Sequence, residues 1–202
     1  MGTGPELRSA RLLLRRWREE DLEPLAAMNA DPRVMEFFPA PMERYESARM
    51  LALVESAFEE RGYGLWALEI PGQTPFAGFV GLAPVDVRMP FAPAVEVGWR
   101  LAVPFWGRGY ATEGGAEAIR FAFEELGLDS LVAFTAAANT RSRRVMERLR
   151  MTRDPAEDFR HPGLAGEHPL APHVLHRARS SDWLLSSVAC AGATRTRQGS
   201  RN

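Results

Sequence analysis

The stretch AVEVGWRLAVPFWGRGYATEGG, residues 94–115, limits what this chain can fold into more than any other. Its first half alternates. Val95, Val97, Trp99 and Leu101 fall on one side of an extended chain, and Glu96, Gly98 and Arg100 on the other. A strand over about 94–103 is predicted, apolar on one face only. The second half runs through Gly107 and Gly109 into AEAIRFAFEELGL, where Ile119, Phe123 and Leu126 recur at helical spacing. A helix over 110–126 follows. Glycines let backbone approach a ligand closely. The helix start adds unpaired N–H groups and a positive dipole end, and Arg108 lies in the same turn. Together they describe a cradle for a pyrophosphate. LVAFTA, next in the chain, reads as a short buried strand. Strands 94–103 and 130–137 can then pair in parallel across the helix.

The flanking patterns extend this plan. Leu12, Leu14 and Trp17 predict a first strand over 7–17, and REEDLEPLAAMNAD predicts a helix with acids at its positive end. Residues 32–42 hold Pro32, Pro39 and Pro41 around Phe37 and Phe38, which predicts a loop. Ser47 is the expected cap of a second helix, Leu51, Val54 and Phe58 its buried stripe, and Gly62 its end. LWALEI and FAGFVGL flank Pro71-Gly72-Gln73-Thr74, a hairpin signal. NTRSRRVMERL predicts a short helix, 154–172 a loop, and HVLHRAR the last strand. The expected fold class is α/β (α+β), with a mixed central sheet of about seven strands and about four helices. Residues 1–183 form the one expected domain. The tail, 184–202, has small residues, three arginines and no acid, and is expected to be disordered.

Composition excludes several chemistries. All 25 basic residues are arginine. Without lysine there is neither a Walker phosphate loop nor a Schiff base. A formal net charge of -1 argues against a general nucleic-acid binder. The single cysteine, Cys190, excludes an intrachain disulfide framework and sits in the tail, away from any nucleophile motif. No long apolar run suggests a signal peptide or a membrane span. The expectation is a cytoplasmic protein with neither nucleic acid nor membrane as partner.

Other ligand readings fit less well. A dinucleotide fold needs a third glycine where Thr112 stands, although Asp129 lies 20 residues beyond Gly109, as a ribose-binding acid would. The chain before the cradle also reads as antiparallel hairpin, not as a βαβ unit. The four histidines, His161, His168, His173 and His176, fall in one stretch. His173 and His176 point to opposite faces of a strand, so no metal site is expected.

EVGWRLAVPFWGRGYATEG resembles the acetyl-CoA-binding motif of the GCN5-related N-acetyltransferases (the GNAT superfamily). It is most similar to the ribosomal-protein amino-terminal acetyltransferases of the RimJ/RimL type. NTRSRRVMERL resembles that branch's second signature, N-x-x-S before a helix. The resemblance spans about 7–183. It implies acetyl-CoA as co-substrate, lying in a splay between the strands at 94–103 and 130–137. Backbone at Leu101, Ala102 and Val103 would bind the pantetheine arm. Arg108, Gly109, Tyr110, Ala111 and Thr112 would hold the pyrophosphate. Asn139 would contact the pantetheine or acetyl region, and Ser142 would sit near the sulfur. Residues 139–153 hold six arginines and one acid, and Arg141, Arg143 or Arg144 could meet CoA phosphates. The chain departs from the family pattern at Gly114 and Gly115, where helix formers are usual. It departs again at Arg150, where a turn glycine is usual.

The implied reaction is acetyl transfer to a primary amine, a protein amino terminus or a small molecule, by direct attack in a ternary complex. The alternative is a non-catalytic acyl-CoA-binding module. An α-amine, with a pKa of about 7.7–8.0, needs only modest help from a base. Glu96 is the candidate, acting through water, with an ion pair to Arg100 as its alternative role. An N–H near Leu101 would stabilise the oxyanion. Ser142 would donate a hydrogen bond to the leaving sulfur, or else cap its helix beside Asn139. Phe37, Phe38, Phe159 and His161 would line the acceptor pocket, while Trp66 suits the core. A homodimer is compatible with these features. Residues 17–60 carry eleven acids and four arginines, a wall that would attract a cationic amine.

Overall fold

The computed structural model describes residues 5–183. The expected tail at 184–202, with Cys190, lies outside the described residues. Strands β1 (Leu7–Arg8) and β2 (Leu13–Arg15) come first, then helices α1 (Leu22–Ala30) and α2 (Arg44–Arg61). Next are β3 (Leu65–Ile70), β4 (Thr74–Pro84), β5 (Val95–Leu101), α3 (Tyr110–Glu124) and β6 (Ser130–Ala136). The last elements are α4 (Thr140–Arg148), β7 (Phe159–Arg160) and β8 (Pro172–Arg179). They form one mixed eight-stranded sheet in the order β1-β2-β3-β4-β5-β6-β8-β7. Every neighbouring pair is antiparallel except β5 and β6, which run parallel across α3 as expected.

The expected first strand is a hairpin instead. Ser9 turns the chain, its N–H bonding Leu12 O at 3.0 Å and its Oγ accepting from Leu12 N–H at 3.1 Å. That split, together with β7 inside the expected loop at 154–172, where Phe159 pairs with His173 and Arg160 with Pro172, brings the sheet to eight strands where about seven were expected. The expected cap at Ser47 is also corrected. Helix α2 starts just over a turn earlier, because Glu43 and Glu46 bond each other's backbone N–H groups in a capping box. Ser47 is buried inside the helix and accepts from Asn29 Nδ2 at 3.0 Å. Gly62 ends α2 in the left-handed region, as its position suggested.

Helix α3 and helix α1 cover opposite faces of β5. Trp99 faces α3, where a Cβ on Gly115 would lie 3.7 Å from its ring and 3.0 Å from Leu149 Cδ1. Gly114 is as close to Val80 and Leu68. These glycines weaken helix propensity, and they also let α3 sit close to sheet and α4. Trp66 is fully buried between Phe58 and Phe121, the core role expected of it.

Candidate active site

Strands β5 and β6 each have seven residues, yet their parallel ladder has a single register pair, Glu96 with Val132. Beyond it β5 stays on β4 as far as Leu101–Gly78, and β6 stays on β8 as far as Ala136–His173. The two strands therefore part after Glu96, leaving a wedge with open backbone edges. Ala102 N–H is spent on Ala77 O at 3.0 Å, so it faces β4. By alternation the Leu101 N–H faces the wedge. Leu101 O already accepts from Trp106 Nε1 at 2.7 Å. Of the three residues expected along the pantetheine, Leu101 and Val103 keep N–H groups with no partner among the described residues, and Ala102 does not.

At the mouth of the wedge lies the turn expected to cradle an anion. Gly107 and Gly109 have φ of 72° and 83°, a region costly for other residues, and Gly109 is the N-cap of α3. Tyr110, Ala111 and Thr112 form the first turn, so their N–H groups have no helical acceptor. Thr112 Oγ1 is buried without a partner. Arg108 is exposed, and its side chain bonds no described residue. The Tyr110 ring, by contrast, is buried, with its hydroxyl 3.4 Å from Gln73 Oε1. Only its backbone belongs to the cradle. These groups suit a pyrophosphate.

A brace from the β1–β2 turn was not legible in the sequence. Arg11 Nη1 donates to Arg108 O at 3.2 Å, its guanidinium pairs with Glu113 at 2.5 Å, and it lies 4.8 Å over the Tyr110 ring. Ser9 Oγ donates to Glu113 at 2.7 Å. Burial works against ionised Glu113, but the bonds from Ser9 and Arg11 hold its pKa below the ordinary value. The partners lie about a hundred residues apart, beyond any local pattern.

Glu96 stands where the strands part. It has no hydrogen-bond or ion-pair partner among the described residues, and burial pushes its carboxyl up to about 7. The expected alternative, a pair with Arg100, is not formed. Arg100 instead donates through Nη1 to Asn29 Oδ1 at 2.8 Å and lies 4.2 Å from the Phe38 ring centroid and 5.3 Å from that of Phe79. Burial lowers its pKa to about 10, so it remains a cation at neutral pH. Between the two, a Cβ on Gly98 would meet nothing within 4 Å. Beside them, a cavity of about 500 Å³ lies between α2 and the ends of β3 and β4. It shares Met42 with Arg100's surroundings and Ala83 with the register partner of Glu96.

Helix α4 forms the other wall. Asn139 is its N-cap, accepting from Ser142 N–H at 3.1 Å and donating to Thr135 Oγ1 at 3.0 Å. Asn139 therefore takes the capping role weighed for Ser142, whose half-buried hydroxyl has no partner among the described residues. Arg144 is exposed and has no side-chain partner among the described residues. Arg141 pairs with Glu36 at 2.5 Å, and lies 4.6 Å over Trp106 and 5.6 Å from Phe37. Phe37 is thus drawn to α4 and Phe38 to Arg100.

Phe159 and His161 belong to a second cluster. Phe159 lies 5.1 Å from Phe91 and 6.0 Å from Phe134, and His161 5.0 Å from His173. Phe134 follows Val132 on the face that carries Glu96. Phe91, Phe134 and His173 were missed as wall residues. Only strand register across β6 and β8 shows that they share a face. His173 and His176 do take opposite faces, pairing with Ala136 and Ala133. Among the described residues no group of three His, Cys, Asp or Glu is placed to hold a metal.

Comparison with known proteins agrees with this architecture. The family model of the acetyltransferase (GNAT) domain matches residues 11–152. The chain belongs to the GNAT acetyltransferase family. A relative from Aspergillus fumigatus, FsC-acetyl coenzyme A-N(2)-transacetylase, is 36% identical over 149 residues. That match takes in 70% of this chain and 63% of the relative's length, so the chain spans less than two thirds of it. An acetyltransferase structure from Agrobacterium tumefaciens superposes with a TM-score of 0.70 at 25% identity, covering 89% of this chain and 96% of that one. The ribosomal-protein-S5-alanine acetyltransferase of Vibrio fischeri shares the fold, with a TM-score of 0.70 at 16% identity, covering 89% and 98%. Among the described residues no helix is long and apolar enough to cross a membrane.

Proposed function

We propose that this protein transfers the acetyl group of acetyl-CoA to a primary amine, by direct attack in a ternary complex. The parting of β5 from β6 beside the donor-rich start of α3, with the unpaired Glu96 carboxyl at the closed end, carries this reading. The fungal relative, named for transfer to an N(2) position, supports nitrogen as the acceptor atom. Acetyl-CoA, when bound, supplies an acyl group already activated as a thioester. The N–H group of Val103 and the open edge of β5 hold the pantetheine, leaving the Leu101 N–H for the acetyl oxygen, and the turn from Arg108 to Thr112 holds the pyrophosphate. Arg144 meets the CoA phosphates. Asn139 retains a lone pair and an N–H beyond its capping bonds, enough to contact the arm.

Glu96 takes the amine's proton, through water, as the new N–C bond forms. A base with a pKa near 7 is well matched to an α-amine at neutral pH. The C–S bond breaks in the same reaction, and the sulfur leaves with a proton taken from solvent. Ser142 Oγ–H donates to that sulfur, and the Leu101 N–H meets the developing oxyanion. Phe38, Phe159 and His161 flank the acceptor, with Phe37 beside Arg141. The acceptor is a protein amino terminus, as in the RimJ/RimL branch, or a small amine. Residues 1–183 act as one cytoplasmic catalytic domain.

Thiol release from acetyl-CoA across a panel of amines and peptides, with products identified by mass spectrometry, tests this reading. Tight binding with no release for any acceptor would mean an acyl-CoA-binding module instead. Ser142→Ala is expected to lower kcat at saturating amine. An unchanged kcat removes the role assigned to Ser142.

A further inference from the structure

Arg100 is a cation placed on the acceptor side with part of its hydrogen-bonding edge unused. Its Nη1 is spent on Asn29 Oδ1 and faces Met42 Sδ at 3.8 Å. Its Nε is buried with no partner. Nη2 bonds no described residue, and no carboxylate pairs with the guanidinium. The Nε–Nη2 edge can grip a carboxylate with two parallel bonds. A buried donor left without an acceptor destabilises the fold by its lost hydration. That cost is avoided if a ligand supplies the acceptor.

The same strand face supplies the rest of the arrangement. Glu96, Gly98 and Arg100 follow one another at every second residue. Glu96 lacks a cationic partner, and the space over Gly98 is open. Four steps of about 3.3 Å separate the two Cα atoms by about 13 Å, and both side chains can lean inward. Two opposite charges, unpaired with each other across an open trough, match a ligand carrying both charges in the reverse order.

We propose that Arg100 determines acceptor specificity by binding a carboxylate on the acceptor through its Nε–Nη2 edge, while the acceptor's amine lies toward Glu96. The acceptor class is then an amine with a carboxylate several bonds away. It is either a free aminocarboxylic acid or a peptide with an acidic residue near its amino terminus. The inference rests on the acetyltransferase reading for its kinetic test, and has a binding test that does not.

The experiment compares ω-amino acids of increasing length with alkylamines of equal length, and amino-terminally free peptides with and without an early Asp or Glu. In the wild type at least one carboxylated series should exceed its uncharged counterpart by about tenfold or more in kcat/KM. Whichever series does so identifies the source of the carboxylate. Arg100→Met should reduce the preference to about twofold or less, with CoA affinity unchanged. Arg100→Lys should keep only part of it, since an ammonium lacks the two-pronged edge. Equal loss for both series, no preference in the wild type, or weakened CoA binding would each overturn the proposal.

Calorimetric binding of the same acceptors to the CoA complex gives a readout independent of turnover. If no acceptor is acetylated, the enzymatic reading fails, and the binding preference still decides the role of Arg100. Should Arg100→Met fail to fold, competition in the wild type settles the point. A simple carboxylate without an amine should displace the preferred acceptor, and its amide should not. Displacement by both or by neither refutes it.

Discussion

Glu96 and Arg150 each hold a state that their residue type does not prefer. Glu96 keeps its proton to about pH 7 in the fold, because burial disfavours the charged form and no cation offsets it. As the proposed base it works only when ionised, so kcat/KM should rise with pH through about 7. In Glu96→Gln that rise should disappear, and the rate should fall by about 10²-fold or more. Stability moves the opposite way. The unfolded chain releases this proton near its ordinary 4.5, and the folded chain only near 7. Stability contributed by Glu96 is therefore lost as pH rises between those values. The melting temperature of Glu96→Gln should gain on the wild type from about pH 5 to about pH 8. Arg150 has φ of 56°, a left-handed conformation that glycine adopts without strain. A side chain there costs roughly 1–2 kcal/mol. Arg150→Gly should raise the melting temperature by about 2–4 °C; no rise would mean that the arginine's own contacts offset the strain.

Elements were legible where a period or a breaker marked them. β5 followed from alternation, α3 from its apolar spacing, and the end of α2 from Gly62. The hairpin of β1 and β2 was not, because Ser9 and Arg11 resemble ordinary polar strand residues. Their role depends on Glu113, which only the docked α3 brings near. Likewise Ser47 reads as a cap by type, but the Glu43–Glu46 pair claims the helix start and leaves Ser47 to Asn29. The Arg11 brace gives a prediction at this scale. Arg11→Ala should raise the CoA dissociation constant roughly threefold to tenfold by loosening the turn at Arg108. Its unfolding transition should shift by only about 1 kcal/mol or less, since Arg11 is half exposed and Ser9 still bonds Glu113. Calorimetric titration with CoA measures the first effect, and an unchanged constant would show that the turn holds itself.

Across the whole molecule the charges prove to be mostly structural. The acids of residues 17–60 were expected to draw in a cationic amine. Among them Asp21, Glu23, Asp31, Glu36, Glu55, Glu59 and Glu60 sit in ion pairs. Glu43 and Glu46 cap a helix. Little of that wall remains to steer a ligand. Arg15 is the clearest structural case. It is buried, with bonds to Asp21 at 2.7 and 2.9 Å, Glu69 at 2.8 Å, Pro75 O at 2.7 Å and Arg16 O at 2.9 Å. It ties β2 to β3, to the start of β4 and to the turn before α1. Arg15→Met leaves Asp21 buried without its cation and should cost about 3–5 kcal/mol, read from urea unfolding. A loss below about 1 kcal/mol would mean that Asp21 finds another partner or water.

The sequence alone determined the α/β class, the parallel pair around α3 and the glycine turn that opens that helix, and the resemblance of its motifs gave the family. Each rests on neighbouring residues, whose spacing is set by backbone geometry. It placed Glu96 and Arg100 on one strand face for the same reason. Tertiary structure decided what those residues do there. Whether Glu96 and Arg100 pair, which donor caps α4, and which aromatic rings face the wedge depend on contacts between distant segments. Burial, which shifts the Glu96 proton and leaves Arg100 Nε without an acceptor, exists only once the sheet and helices close around them.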